Sequence, residues 1–196
     1  MVESPASLSA RYASQMTDLK LPHFEEVDFP QSGNVRDVFD NFRLGFPERG
    51  GPRVLSLNFQ GVSEIAQPTL EELAAAIQGL NVIRIGGRQI FTRAANICDP
   101  LSGNLSQFLG EINLAIAAVN GEEAVILGKE SFVRGFSPAF LELSKLTGWV
   151  RGAIYLRDQL GISSPAARSK LLAMFQLGIV IARGDVGQNG VVHSLV

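Results

Sequence analysis

Residues 53–85 read RVLSLNFQGVSEIAQPTLEELAAAIQGLNVIRI, and they carry the clearest local folding signals in the chain. Apolar and polar side chains alternate over residues 53–59, which predicts a half-buried strand. Residues 68–72, PTLEE, have the form of a capping box that opens an amphipathic helix. We expect this helix to stop near Gly79, and residues 82–85 to form a short second strand that pairs with the first.

Helical periodicity dominates the sequence on the carboxyl-terminal side of this stretch. One apolar series recurs at spacings of three, four and seven, as expected of a single helix: Leu105, Phe108, Leu109, Ile112, Ala115, Ile116 and Val119. Ser137-Pro138 and Ser164-Pro165 each predict a helix start. The expected fold is therefore mainly α: a helical body of five or six helices with a small β element and extended N- and C-terminal arms.

The two ends of the chain differ from the middle. Residues 21–33, LPHFEEVDFPQSG, are acidic with apolar anchors between prolines, and the last 13 residues combine glycines with an apolar end. We therefore expect an N-terminal arm with short helices (1–50), a helical core domain (51–183) and a C-terminal arm (184–196). Seven apolar side chains of the arms are predicted to form an interface between copies: Phe24, Phe29, Phe39, Phe42, Val191, Val192 and Leu195.

Composition points to function through a surface rather than through a reactive side chain. Hydrophobic residues make up 46% of the 196-residue chain and charged residues 18%, against about 25% charged in a typical soluble domain. This low charge suggests that part of the exterior meets another protein. The formal net charge of −2 argues against a strongly basic nucleic-acid-binding domain.

The sequence shows no catalytic, metal or cofactor motif. His23 and His193 fall in the predicted arms, which hold a base poorly, and with Cys98 as the one cysteine the ligands for a structural zinc site are lacking. We therefore expect no enzyme activity, no metal and no cofactor. The amino terminus has no secretory signal, and the apolar run at 171–182 is too short to cross a membrane. These features predict a cytoplasmic or intracellular protein, or a virion component if the source is viral, with no membrane partner.

One arginine cluster is a candidate nucleic-acid site. In residues 84–93, RIGGRQIFTR, three arginines flank Phe91: Arg84, Arg88 and Arg93. If residues 89–97 are helical, this cluster could hold a phosphate backbone and stack on bases of RNA or another single-stranded nucleic acid. Arg151 and Arg157, on a later predicted helix, are secondary candidates.

Three functions remain open from the sequence. The first is a self-assembling structural protein, a coat- or nucleocapsid-like homo-oligomer that polymerises around nucleic acid through arm exchange and Arg–phosphate contacts. The second is a regulatory or scaffolding module that binds another protein through its arms. The third is a helical ligand-binding protein or enzyme with an unidentified pocket.

Overall fold

The structure is a computed structural model that describes residues 19–30, 34–45, 51–85, 89–183 and 190–195. Within these ranges the chain forms eight strands and six helices. The strands are β1 (His23–Asp28), β2 (Arg53–Asn58), β3 (Ile90–Ala95), β4 (Ala115–Asn120), β5 (Glu123–Gly128), β6 (Val150–Arg151), β7 (Ile181–Arg183) and β8 (Val191–His193). The helices are α1 (Val35–Leu44), α2 (Gln67–Ile85), α3 (Asp99–Glu111), α4 (Glu130–Ser144), α5 (Gly152–Leu160) and α6 (Ser164–Leu177).

A five-stranded sheet with the order β1-β2-β3-β4-β5 forms the centre of the protein. Strands β1 to β4 are parallel, and β5 returns antiparallel to β4. The register places Arg53 of β2 opposite His23 of β1 and Ile90 of β3. Because the sheet is covered on both faces, its inner strands are buried almost throughout, as in other parallel sheets.

Helices α1, α2 and α3 cover one face of this sheet. They connect consecutive parallel strands, and right-handed crossovers in one direction place such helices on the same side. Alternate strand residues, among them Leu55, Leu57 and Ile90, pack into a core with the apolar sides of these helices. This half is a layer of helices on a sheet.

The other face of the sheet carries the carboxyl-terminal third of the chain. Helices α4, α5 and α6 and a small antiparallel sheet, in the order β6-β8-β7, pack there. The strand residues of opposite orientation, such as Val54 and Phe91, share a second core with Leu171 and Val192. The large sheet therefore lies between two layers that differ in structure.

The mainly α fold class expected from the sequence is wrong: the protein is mixed α/β, with a mixed five-stranded sheet and a second, three-stranded sheet. The error has a physical cause. Strands buried on both faces lose the polar–apolar alternation that marks a half-buried strand, and short apolar runs then resemble buried helix. Residues 89–97 illustrate this, because they contain β3 and no helix.

The predictions of individual helices and strands were partly right and partly wrong. The strand predicted at 53–59 is confirmed as β2, but it is buried on both faces rather than half-buried. The capping box is wrong in position, because α2 begins at Gln67, and α2 continues through Gly79 and includes residues 82–85. The apolar series from Leu105 to Val119 is divided between α3, which ends at Glu111, and β4.

The predicted arms are integral parts of the body wherever the structure describes them. Residues of the N-terminal stretch form β1 and α1, and the C-terminal stretch supplies β8. Of the seven side chains predicted at an interface between copies, six are buried in the chain's own cores and Phe24 is half-buried against the second core. Six of the seven therefore offer no apolar surface to a second copy, which removes the main observation that favoured self-assembly.

Candidate nucleic-acid interface

Helices α5 and α6 form a helix-turn-helix. Helix α5 ends at Leu160, and Gly161 follows in the left-handed conformation with φ of 63°. Only glycine adopts this conformation without strain, and it commonly ends a helix. The Ser163 Oγ then accepts a hydrogen bond from the Ala166 amide at 3.3 Å and caps α6. A three-residue turn of this kind, containing a glycine, is typical of helix-turn-helix motifs.

The inner side of this helix pair is fixed by burial. Tyr155 and Leu156 of α5 and Ala167 and Leu171 of α6 are fully buried and belong to the second core. The Tyr155 hydroxyl also donates to the Glu142 carbonyl oxygen of α4 at 3.1 Å. The pair is therefore held at a defined angle on α4 and on the central sheet.

The outer side of α6 is a row of solvent-exposed residues at helical spacing, which we call the α6 stripe: Pro165, Arg168, Ser169, Leu172 and Gln176. The Arg168 guanidinium has no hydrogen bond or ion pair to any residue that the structure describes. Lys170 differs, since its Nζ donates to the Gly135 carbonyl oxygen of α4 at 2.6 Å. The cation that α6 presents to solvent without a partner is thus Arg168.

Two further arginines flank the β7–β8 hairpin. Arg151 of β6 and Arg183 of β7 both lie opposite Val191 of the central strand β8. Side chains directly opposite one another in neighbouring strands point to the same face, so these two arginines share a face about 10 Å apart, two strand spacings. Neither guanidinium is bonded to a residue in the described ranges.

The charged residues are distributed unevenly between the part of the chain that contains these elements and the rest. Residues 145–196, which contain the helix-turn-helix and the hairpin, carry six basic and two acidic residues, a net charge of +4. Residues 1–144 carry 11 basic and 17 acidic residues, a net charge of −6. The overall charge of −2 conceals this separation, which would orient the molecule towards a polyanion.

The structure gives internal partners to the arginines that the sequence placed in one nucleic-acid site. The Arg84 guanidinium donates to main-chain carbonyl oxygens of α6. Arg93 donates to Ser56 Oγ at 3.1 Å and to the Leu195 carbonyl oxygen at 3.0 Å. Burial lowers the pKa of Arg93, and the nearby Glu26 partly offsets that effect. Arg88 lies outside the described residues.

Of the secondary candidates, Arg151 flanks the hairpin, as described above, and Arg157 lies on the exposed side of α5. The Arg157 guanidinium is engaged by the carboxylate of the adjacent Asp158, with Nε 2.7 Å from Oδ1. Sequence reasoning missed Arg168, Leu172 and Arg183. The signal that could have found them is Gly161 followed by a capping serine between two short helices, with a glycine-rich stretch at 184–190 later in the sequence.

Two surface clefts lie among the described residues of the α/β half. One lies between α1 and α2, has a volume of about 310 Å³ and is lined by charged side chains that include Arg36, Asp40 and Glu72. The other, of about 570 Å³, lies between α3 and the start of α4 and includes Ser106 and Lys129. Neither lining contains a histidine or a cysteine, so neither cleft presents a nucleophile beside an imidazole base.

Two general features of the described ranges bear on other functions. No group of three His, Cys, Asp or Glu side chains lies together in them as ligands for a metal ion. No helix in the same ranges combines the length and apolar character needed to cross a bilayer.

Comparisons with protein-family models, with curated proteins and with solved structures each find no match for this chain. The carboxyl-terminal third consists, in chain order, of α4, β6, α5, α6 and the β7–β8 hairpin, and β6 pairs with β8. In element order and strand pairing this arrangement resembles a winged helix-turn-helix.

Proposed function

We propose that this protein binds double-stranded DNA through its helix-turn-helix and hairpin. In helix-turn-helix proteins the second helix lies in the major groove and the first crosses the phosphate backbone. Here α6, the second helix of the pair, would lie in the major groove, and α5, the first, would cross the phosphate backbone. The β7–β8 hairpin, flanked by Arg151 and Arg183, lies beside them and supplies backbone contacts.

The observation that carries this proposal is the α6 stripe. Its residues are exposed although the other side of α6 is fully buried, and Arg168 extends from it without a partner in the described ranges. A helix that is held on one side and presents small and uncharged residues with one unpartnered arginine on the other fits into a major groove.

The charge separation supports the same proposal. The acidic part of the chain, residues 1–144, would be repelled by DNA, whereas residues 145–196, with a net charge of +4, would be attracted. Complementary potential of this kind steers association and suppresses wrong orientations. The nucleic-acid-binding part of the function expected from the sequence is thereby retained, but at a different site and with duplex rather than single-stranded nucleic acid.

The test is a binding titration by fluorescence anisotropy with a 25-base-pair duplex, the corresponding single strand and an RNA of the same sequence. We expect the duplex to bind most tightly and its affinity to fall steeply with salt. The double variant Arg151→Ala, Arg183→Ala should lower the salt slope by up to about two, one unit for each lost phosphate contact.

The matched control is Arg36→Ala, Arg43→Ala, which removes the same charge from α1 on the opposite face of the sheet. This control should leave the salt slope unchanged. Absence of duplex binding at low salt would contradict the proposal, as would equal losses in the two double variants. Tighter binding of the RNA or of the single strand would instead support the single-stranded target expected from the sequence.

A further inference from the structure

The composition of the α6 stripe bears on which DNA sequences the helix could select. Arg168 and Leu172 are four residues apart and both exposed, so they lie on one side of α6, separated by about 6 Å of helix rise. Their neighbours on the stripe, Pro165 and Ser169, have short side chains. Arg168 and Leu172 are therefore the side chains that extend furthest from this part of the helix.

Leu172 is unusual among the residues of this surface. It is a large apolar residue that is 44% exposed, on a face of α6 that also carries polar and charged groups. An apolar side chain beside an unpaired arginine gives the helix two different kinds of contact. In the major groove these contacts have distinct partners: guanine presents two acceptors, N7 and O6, and thymine presents its C5 methyl group.

We infer that Arg168 reads a guanine and that Leu172 reads a thymine methyl group within about two base pairs of it. This inference rests on the proposed DNA binding and adds the base preference of the site. Arg151 and Arg183 have no part in it, because they flank the hairpin and are assigned to the phosphate backbone. The roles differ in a measurable way, since base contacts change specificity whereas phosphate contacts weaken all sequences alike.

The experiment begins with selection of bound sequences from a randomised duplex library by the full-length chain. The selected site is then prepared with 7-deazaguanine, which lacks the N7 acceptor, or with uracil, which lacks the thymine methyl group. We expect 7-deazaguanine at one position to weaken the wild-type protein about fivefold and Arg168→Ala hardly at all. Uracil should weaken the wild-type protein about threefold and Leu172→Ala hardly at all.

The control is Arg43→Ala, an exposed arginine on α1, which should respond to both modified bases as the wild-type protein does. The outcomes separate the inference from the proposed function. If duplex DNA binds but no guanine or thymine is selected, or if Arg168→Ala weakens every duplex equally and lowers the salt slope by about one, the base-reading inference fails while DNA binding stands. If the wild-type protein binds no duplex, both fail.

Discussion

The guanidinium of Arg84, at the end of α2, donates from Nη2 to the main-chain carbonyl oxygen of Gln176 at 2.6 Å. Its Nε donates to the carbonyl oxygen of Phe175 at 2.9 Å. These oxygens belong to the last turn of α6, where helix carbonyls lack the amide donors of a following turn and carry partial negative charge. The Phe175 oxygen also accepts a hydrogen bond from the Gly178 amide at 3.0 Å. A side chain of the α/β half thus fixes one end of the helix that we propose to enter DNA.

Arg84 is one of the most buried side chains of the protein, with 1% of its surface exposed, and burial lowers its pKa to about 10. Replacing it with alanine would remove the side-chain donor from two part-buried carbonyl oxygens and leave a cavity where the guanidinium is buried. We expect Arg84→Ala to lower the free energy of unfolding by about 2–4 kcal/mol, measured by urea denaturation. Arg36→Ala, an exposed arginine on α1, should change it by less than about 0.5 kcal/mol. Equal stability of the two variants would show that the Arg84 contacts are dispensable.

Gly178 provides an independent test of the same contact. It ends α6 with φ of 79°, and a Cβ there would lie 2.6 Å from Arg84 Nη1. Gly161 has a similar φ of 63°, but a Cβ there would meet nothing within 4 Å. Gly161→Ala should therefore cost only the backbone strain, about 1–2 kcal/mol. Gly178→Ala should cost at least about 1 kcal/mol more, because the guanidinium must also move. Calorimetric or denaturant unfolding of both variants decides this, and equal losses would contradict it.

His193 should make the stability depend on pH. It is 8% exposed and packs edge-on against Trp149, with ring centroids 5.5 Å apart. Burial lowers the pKa of His193, although a hydrogen bond to the Ser194 carbonyl oxygen acts in the opposite direction. Below about pH 6.5 the unfolded chain takes up the proton more readily than the folded chain. Stability should therefore be full above pH 6.5 and fall as the pH is lowered towards the folded pKa.

The measurement is urea denaturation between pH 7.5 and pH 5.5 for the wild-type protein and two variants. His193→Gln should lose less stability on acidification than the wild-type protein does. His23→Gln, which alters an exposed histidine of β1, is the control and should follow the wild-type curve. If His193→Gln retains the full acid loss, another group is responsible.

Phe29 distinguishes packing within one chain from exchange between chains. Its ring stacks on that of Phe59, with centroids 4.4 Å apart, and it is buried in the core beneath α1 to α3. Phe29→Ala should lower the free energy of unfolding by about 3–5 kcal/mol. If this packing lies within one chain, the loss should be the same at all protein concentrations. A midpoint of unfolding that shifts with protein concentration would revive the interface predicted from the sequence.

Local signals account for what sequence reasoning recovered. Strand β2 was found because its side chains alternate, and the start of α6 was found because Ser164-Pro165 marks it within one residue of the observed cap, Ser163. β3 was missed because its sequence, IFTRAA, does not alternate, and a strand buried on both faces needs no alternation. The position of α2 was misread because a capping-box pattern at 68–72 lies inside a helix that tertiary packing extends in both directions.

Sequence reasoning also recovered only part of the candidate site. Arg151 was named from the sequence, and the structure places it beside the hairpin with Arg183. Arg84 and Arg93 were also named, but their guanidinium groups are engaged by carbonyl oxygens more than 90 residues away in the chain. No local sequence pattern predicts such a partner, because sequence spacing does not determine which distant main-chain group a long side chain will contact.

The sequence by itself determined the composition, the charge separation between the two parts of the chain, and those elements whose signals are complete within a few residues. Tertiary structure alone decided that the described residues of the predicted arms form strands, a helix and core, and which arginines of the described ranges remain without a partner. The physical reason is that burial and strand pairing are properties of contacts between distant segments. Those contacts override local preference wherever they exclude more apolar surface from water or satisfy more buried polar groups.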